Sequence, residues 1–198
     1  MMLRRRAGTF GHQVIATALG GSGASDRYVF ASRHGELSRT VGILSAVAIG
    51  ETPSPAEFSM SVHHALAGLL SIHTGNQQGH TAVAAGVDTF GFAFLESLAL
   101  VAAEPKASVL LVYHEAPLPQ EYAELEPREA SEPLVVALQI AAADPKAPVF
   151  AFQQEPADCE DDGITKQPVH DFLRFLLTGA QAMRSNGARM NWQWRRVA

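Results

Sequence analysis

Apolar residues recur along the chain in blocks whose spacing alternates between helical and extended periods. Leu3, Phe10, Val14, Ile15 and Ala18 fall on related faces of a helix over residues 3–19. Gly20-Gly21-Ser22-Gly23 ends it as a flexible link. Tyr28-Val29-Phe30-Ala31-Ser32 is a short run, β-branched or aromatic at its centre, and predicts a buried strand. Leu37, Val41, Leu44, Val47 and Ala48 repeat at helical spacing over 36–49, with Gly50, Pro53 and Pro55 as stop signals. A helix from about Val62 to Ile72 follows, with Ser59 or Ser61 as its N-cap and Gly75 as its end. Thr81-Ala82-Val83-Ala84-Ala85 is small and apolar and predicts a second buried strand. It turns sharply at Gly86 into a mostly buried helix over 87–104, which Pro105 ends.

Ser108 to Tyr113 is the clearest strand in the chain. Residues 114–132 change character, with six glutamates and three prolines, and predict a surface excursion. Leu134 to Ile140 is another strand, and Val149-Phe150-Ala151-Phe152 is expected to be its neighbour. An acidic loop covers 155–163. Pro168 to Arg184 predicts an amphipathic helix with Phe172, Phe175, Leu176, Ala180 and Met183 inward. Trp192-Gln193-Trp194-Arg195-Arg196 alternates aromatic and polar residues, as a final strand does. Helices interleaved with buried strands predict a layered α/β fold with a mixed sheet, in one domain over 1–198.

Composition narrows the function more than the fold. With 15 Lys+Arg against 20 Asp+Glu the formal charge is −5, so no broad basic field exists for nucleic acid. Cys159 is the single cysteine, which rules out an internal disulfide and a cysteine metal cluster and fits a reducing, cytoplasmic setting. The basic start, Met1 to Arg6, is followed by residues too polar for a signal peptide. The nearest approach to a membrane span, Val87 to Ala103, carries Asp88 and Glu96, so no transmembrane segment is expected.

The eight histidines supply no metal motif. There is no HExxH and no His pair four apart, while His63 and His64 are adjacent and diverge by about 100° on a helix. Capping or interface roles fit them better, and no metal or cofactor is expected. Gly20-Gly21-Ser22-Gly23-Ala24 lacks the last glycine of a serine elbow and lies on the wrong side of its strand. Cys159 lies among Asp158, Glu160, Asp161 and Asp162, whose charge disfavours a thiolate. The small strand that turns at Gly86 into a long helix has the shape that presents a nucleophile at a helix N-terminus. No residue of that turn is a competent nucleophile, and Val83 occupies its middle.

Three segments carry a resemblance. Ser61-Val62-His63-His64-Ala65, with Gly68 after it, resembles the Ser-Val-His-Asn-Ala segment of β-ketoacyl synthase-like proteins. His80-Thr81-Ala82-Val83-Ala84-Ala85-Gly86 is similar to the ketosynthase Ser-Thr-Ala-Cys-x-x-Gly elbow. Phe30-Ala31-Ser32-Arg33-His34-Gly35-Glu36 resembles the half-length β-ketoacyl synthase N-terminal-like family. The likeness runs from about Leu3 to Tyr113, and more loosely to the Trp-x-Trp-x-Arg tail.

The resemblance implies half of a thiolase-like α-β-α fold and a chain-length factor that pairs with a complete ketosynthase, as in aryl-polyene and related fatty-acyl clusters. It places Val83 at the nucleophile position and His64 at the family's asparagine. A valine forms no acyl thioester, and the two histidines of the second thiolase half are absent. The implied subunit is therefore not an enzyme on its own. By the same resemblance, Gly79, His80, Thr81, Ala82, Val83 and Ala84 form a strand that pairs across a dimer axis. Phe58, Met60, His63 and His64 border that surface and are acyl-tunnel candidates, with plain core as the other reading for Phe58 and Met60. The acidic 114–132 stretch would repel an acidic acyl carrier protein. Carrier docking then falls on the ketosynthase, with Arg4-Arg5-Arg6 a secondary candidate. Two other classes stay open: a homodimeric acyl-binding module, and a small acyltransferase or hydrolase using Ser61, His63 or His80.

Overall fold

The computed structural model describes residues 2–20, 25–125, 132–142, 149–157 and 168–197, and the side chains from residue 6 onward within them. The glycine link 21–24, the Arg4 and Arg5 side chains, residues 126–131 of the acidic excursion, and Cys159 with residues 158–163 of its loop lie outside the described residues.

In chain order the elements are α1 (Met2–Gly20), β1 (Arg27–Ala31), α2 (Leu37–Ala48), α3 (Pro55–Ser59), α4 (Ala65–Thr74) and β2 (His80–Val83). A 3₁₀ turn (Gly86–Asp88) leads into α5 (Thr89–Ala103), followed by β3 (Val109–Glu115) and a second 3₁₀ turn (Gln120–Leu125). The chain continues through β4 (Leu134–Ile140), β5 (Val149–Pro156), α6 (Pro168–Thr178), β6 (Ala182–Asn186) and β7 (Met190–Val197).

The main sheet runs β2-β1-β3-β4, with β2 and β3 parallel to β1 and β4 antiparallel to β3. Its central strands, β1 and β3, are buried on both faces because consecutive residues alternate between two cores. Tyr28, Phe30, Leu110 and Val112 face α1 and α4, packing with Val14, Ile15, Ala18, Leu66 and Leu70. Val29, Ala31, Val109, Leu111 and Tyr113 face α5, packing with Phe90, Ala93, Phe94 and Val101. The small sheet, β5-β7-β6, closes the far side of α5 together with α6. The layers are thus helices, mixed sheet, helices and a second sheet.

An aromatic cluster bonds the last two layers. Phe94 stands 5.1 Å from Phe152 and 6.2 Å edge-on from Trp194, and Phe172 stands 5.4 Å from Trp194. Each such pair adds about 0.5–1.5 kcal/mol beyond the area it buries. Trp192 lies flat against α5 at Gly91, where a Cβ would overlap the indole. The carboxylate of Asp88, fully buried, accepts hydrogen bonds from Trp192 Nε1 at 2.9 Å and Arg189 N at 2.8 Å. The start of α5 is thereby tied to the β6–β7 hairpin.

Several sequence expectations change. Val149–Phe152 is not a neighbour of β4: β5 pairs with β7 in the second sheet, because Phe150 and Phe152 bury against Phe175, Phe94 and the tryptophans. The last helix ends at Thr178 rather than Arg184. Gly179 breaks it, and Met183 reaches the core from β6 instead. β3 runs two residues into the expected excursion, since His114 and Glu115 are both buried. α4 starts at Ala65, not Val62. Pro55 opens the separate helix α3, and the hydroxyls of Ser59 and Ser61 donate back to the carbonyls of Ala56 and Phe58 rather than capping α4. α2 forms where the spacing placed it, yet none of its residues is buried, and Leu44 and Val47 are more than half exposed.

Candidate functional site

The site expected from sequence lies where β2, the following elbow and the start of α4 meet. β2 is a terminal strand of the main sheet, so one side of its main chain has no partner among the described residues. Ser32 N donates to Val83 O at 3.2 Å, which turns the main-chain groups of Val83 toward β1. Alternation along the strand then turns those of His80 and Ala82 to the open edge. All four residues of β2 are half-buried, while Gly79 and Ala84 beside it are exposed.

The elbow lies just beyond Val83. Val83 is the last residue of the strand, and its side chain packs into the α5 core. The reversal itself is made by Ala84, Ala85 and Gly86, whose φ of 60° is a conformation that disfavours side chains. Thr89, whose hydroxyl lies at this turn, is fully buried and spent: it donates to Gly86 O at 2.7 Å and accepts from Ala85 N at 2.9 Å. From Ala82 to Val87 every residue is Ala, Val or Gly, so placing the elbow two or three residues after Val83 restores no nucleophile.

The four tunnel candidates separate. Met60 takes the core position, 5% exposed among the residues under α1 and α4, whereas Phe58 is 65% exposed. His63 folds back over the β1 end, with Nε2 at 3.3 Å from Ser32 O and its ring against Gly35. His64, beside it in the turn that precedes α4, turns the other way and sets its ring 5.3 Å from that of His80. His80 Nδ1 is 3.4 Å from Ser71 Oγ, and the His80 pKa is lowered by burial and then by His64. His80 thus meets a serine, but Ser71 rather than the expected Ser61. The third group there is a histidine rather than a carboxylate, so nothing there stabilises an imidazolium. Ser61 Oγ is bonded to Phe58 O. Among the described residues no group of three or more His, Cys, Asp or Glu could hold a metal ion.

Two buried carboxylates escaped the sequence reading. Glu115 accepts from Arg33 N at 2.8 Å and His34 N at 3.3 Å, so it fixes the chain as it leaves β1, and burial raises its pKa. Asp88 anchors the elbow helix to the hairpin. Their partners lie some 80 to 100 residues away, and no local spacing signals such a bond.

This geometry, a small-residue strand at the sheet edge turning into a buried central helix, is that of a condensing-enzyme half. The chain belongs to the family described as β-ketoacyl synthase, N-terminal domain, which matches residues 1–195. It is similar to a chain in the structure of a ketosynthase, ApeO, in complex with its chain length factor, ApeC, from Xenorhabdus doucetiae. The TM-score is 0.85 at 28% identity, covering 99% of this chain and 81% of that one. A comparison with curated proteins finds no significant match. The fold is therefore thiolase-like, and the chain is a half-length ketosynthase-like domain.

The stretch 86–103 is long and apolar enough to cross a membrane by length and composition alone. Here it is α5 with its lead-in turn, packed between two sheets.

Proposed function

We propose that this chain is a chain-length-factor-like subunit without condensing activity of its own. It pairs through the β2 edge with a complete β-ketoacyl synthase and walls that enzyme's acyl tunnel during fatty-acyl or polyene synthesis in a reducing, cytoplasmic setting. The observation that carries this reading is the likeness, over 99% of the chain, to a chain of a ketosynthase–chain length factor complex. Because 81% of the matched chain is covered, that chain is itself only modestly longer than 198 residues. The elbow without a nucleophile supports the same conclusion.

Interface pairing would add main-chain hydrogen bonds at His80 and Ala82 and cover an open edge. Phe58, which is exposed, and His64, whose ring lies 5.3 Å from that of His80 on β2, are the tunnel-wall candidates kept from the original four. One methylene of fit in an apolar pocket is worth roughly 1–3 kcal/mol, enough for shape alone to bias product length. An acyl carrier protein would dock on the ketosynthase.

The test is co-expression with the ketosynthase encoded nearest to it, followed by size-exclusion chromatography with light scattering. A 1:1 complex is expected. A stable homodimer that ignores the ketosynthase would overturn the proposal in favour of an acyl-binding module.

A further inference from the structure

We infer that the open β2 edge is keyed to an unlike partner, one that sets a cation or hydrogen-bond donor against Glu96, and is keyed against a second copy of this chain. The inference rests on the reading above that β2 is the assembly strand.

Glu96 lies on the side of α5 that meets β2. It is half-buried, and its Oε1 accepts one long hydrogen bond, 3.3 Å, from Thr81 Oγ1. Thr81 is one of the two central residues of the four-residue strand. Among the described residues no ion pair includes Glu96. A carboxylate has room for about four hydrogen bonds, so most of its capacity is met by solvent while the edge is open. A subunit that covers the edge removes that solvent and has to replace it, since burying a charge unpaired is strongly unfavourable.

Symmetry decides which subunit can do so. An edge strand that pairs with its own copy does so antiparallel, about a two-fold axis perpendicular to the sheet. That operation keeps each face of the sheet on its own side. Residues opposite one another in an antiparallel pair share a face, so the axis passes beside Thr81: it sets Thr81 beside Thr81 of the copy, with His80 opposite Ala82, and brings the two Glu96 carboxylates toward each other on the α5 face. On the α4 face it brings the His64–His80 pair toward its own copy. Like meets like on both faces, and the described cation beside β2 on the α5 side, Arg27, is already committed to Glu104 at 3.5 Å and to Gln78 O at 3.3 Å. Shape does not discriminate: Ala82, Ala84, and Ala99 and Ala102 on α5 are small, and all but the half-buried Ala82 are exposed, so either partner can approach closely. Charge is what separates them.

The experiment is sedimentation velocity on the full chain, alone and with its ketosynthase, at low and high salt, for wild type, Glu96→Gln and Glu96→Lys. Wild type alone is expected to stay monomeric, and Glu96→Gln to strengthen self-association by about tenfold or more. With the ketosynthase, Glu96→Gln should weaken the complex about tenfold and flatten its salt dependence, and Glu96→Lys should weaken it further. A wild-type chain that is already a tight homodimer would overturn the inference. So would a Glu96→Gln chain that matches wild type in both arms. If wild type binds no ketosynthase at all, the assembly reading fails. The self-association arm then decides alone: a Glu96→Gln dimer supports keying against self, and an unchanged monomer overturns it. Thermal melts confirm that each variant is folded.

Discussion

His114 and Glu115 are neighbours on β3 that burial drives toward neutrality from opposite sides. His114, 3% exposed between the rings of Phe10 and Phe30, has its pKa lowered to about 4 by desolvation, with a smaller effect from His63. Its folded value lies below the unfolded one. Its contribution is therefore complete above about pH 6.5 and is lost as pH falls toward 4, at most roughly 3 kcal/mol. Glu115 has the opposite sign: its raised pKa contributes stability at low pH that is lost as pH rises through the folded value. His114→Phe should therefore flatten the acid limb of stability. Urea denaturation at several pH values is expected to show wild type losing about 2–3 kcal/mol more than the variant between pH 6.5 and 4. Equal slopes would refute the assignment to His114. At this scale the sequence was legible where neighbours decide the outcome. That Ala82 to Val87 are all Ala, Val or Gly is read directly from the sequence, whereas His63 and His64 lie in the turn before α4 rather than in the helix that periodicity places there. The meeting of His64 with His80, and the roles of Asp88 and Glu115, depend on tertiary contacts that periodicity does not encode.

At the scale of elements, α5 is the piece on which the rest is assembled. One side supports the main sheet and the other receives Trp192 at Gly91, with Asp88 bonding the indole one turn earlier. Gly91→Ala has to displace the indole or the helix. It should destabilise the chain by about 1–3 kcal/mol or more, read as a lower urea midpoint. A neutral result would mean that the hairpin is not seated on the helix as described. Most elements were visible as apolar periods of the right length, including α2, whose apolar face the fold leaves uncovered. Period alone could not tell that α6 stops at Gly179 so that Met183 belongs to a strand. Nor could it tell that β5 leaves β4. Which sheet a strand joins is set by where its aromatic face finds cover.

For the whole molecule, the decisive property is that the main sheet ends at β2, one side of whose main chain has no partner among the described residues. Because Ala82 N–H faces the open edge, Ala82→Pro removes a donor that the isolated chain does not use, in the position where an edge strand tolerates proline. The variant should melt within about 1 kcal/mol of wild type yet fail to co-purify with the ketosynthase. Co-purification at the wild-type level would move the interface elsewhere. The family's overall plan was readable because three short segments carry it, whereas the second sheet lies in the C-terminal region where that resemblance thins.

An unpaired strand beside the exposed alanines of α5 also has a meaning for the cell that makes the protein. Such an edge templates pairing with extended segments that do not set a second carboxylate against Glu96, unfolded chains among them. Chain synthesised in excess of whatever caps β2 is an aggregation hazard and a substrate for quality control. On the proposed assembly, its abundance would be governed by the supply of its cap rather than by its own rate of synthesis, and matched production of the two polypeptides would follow as a requirement.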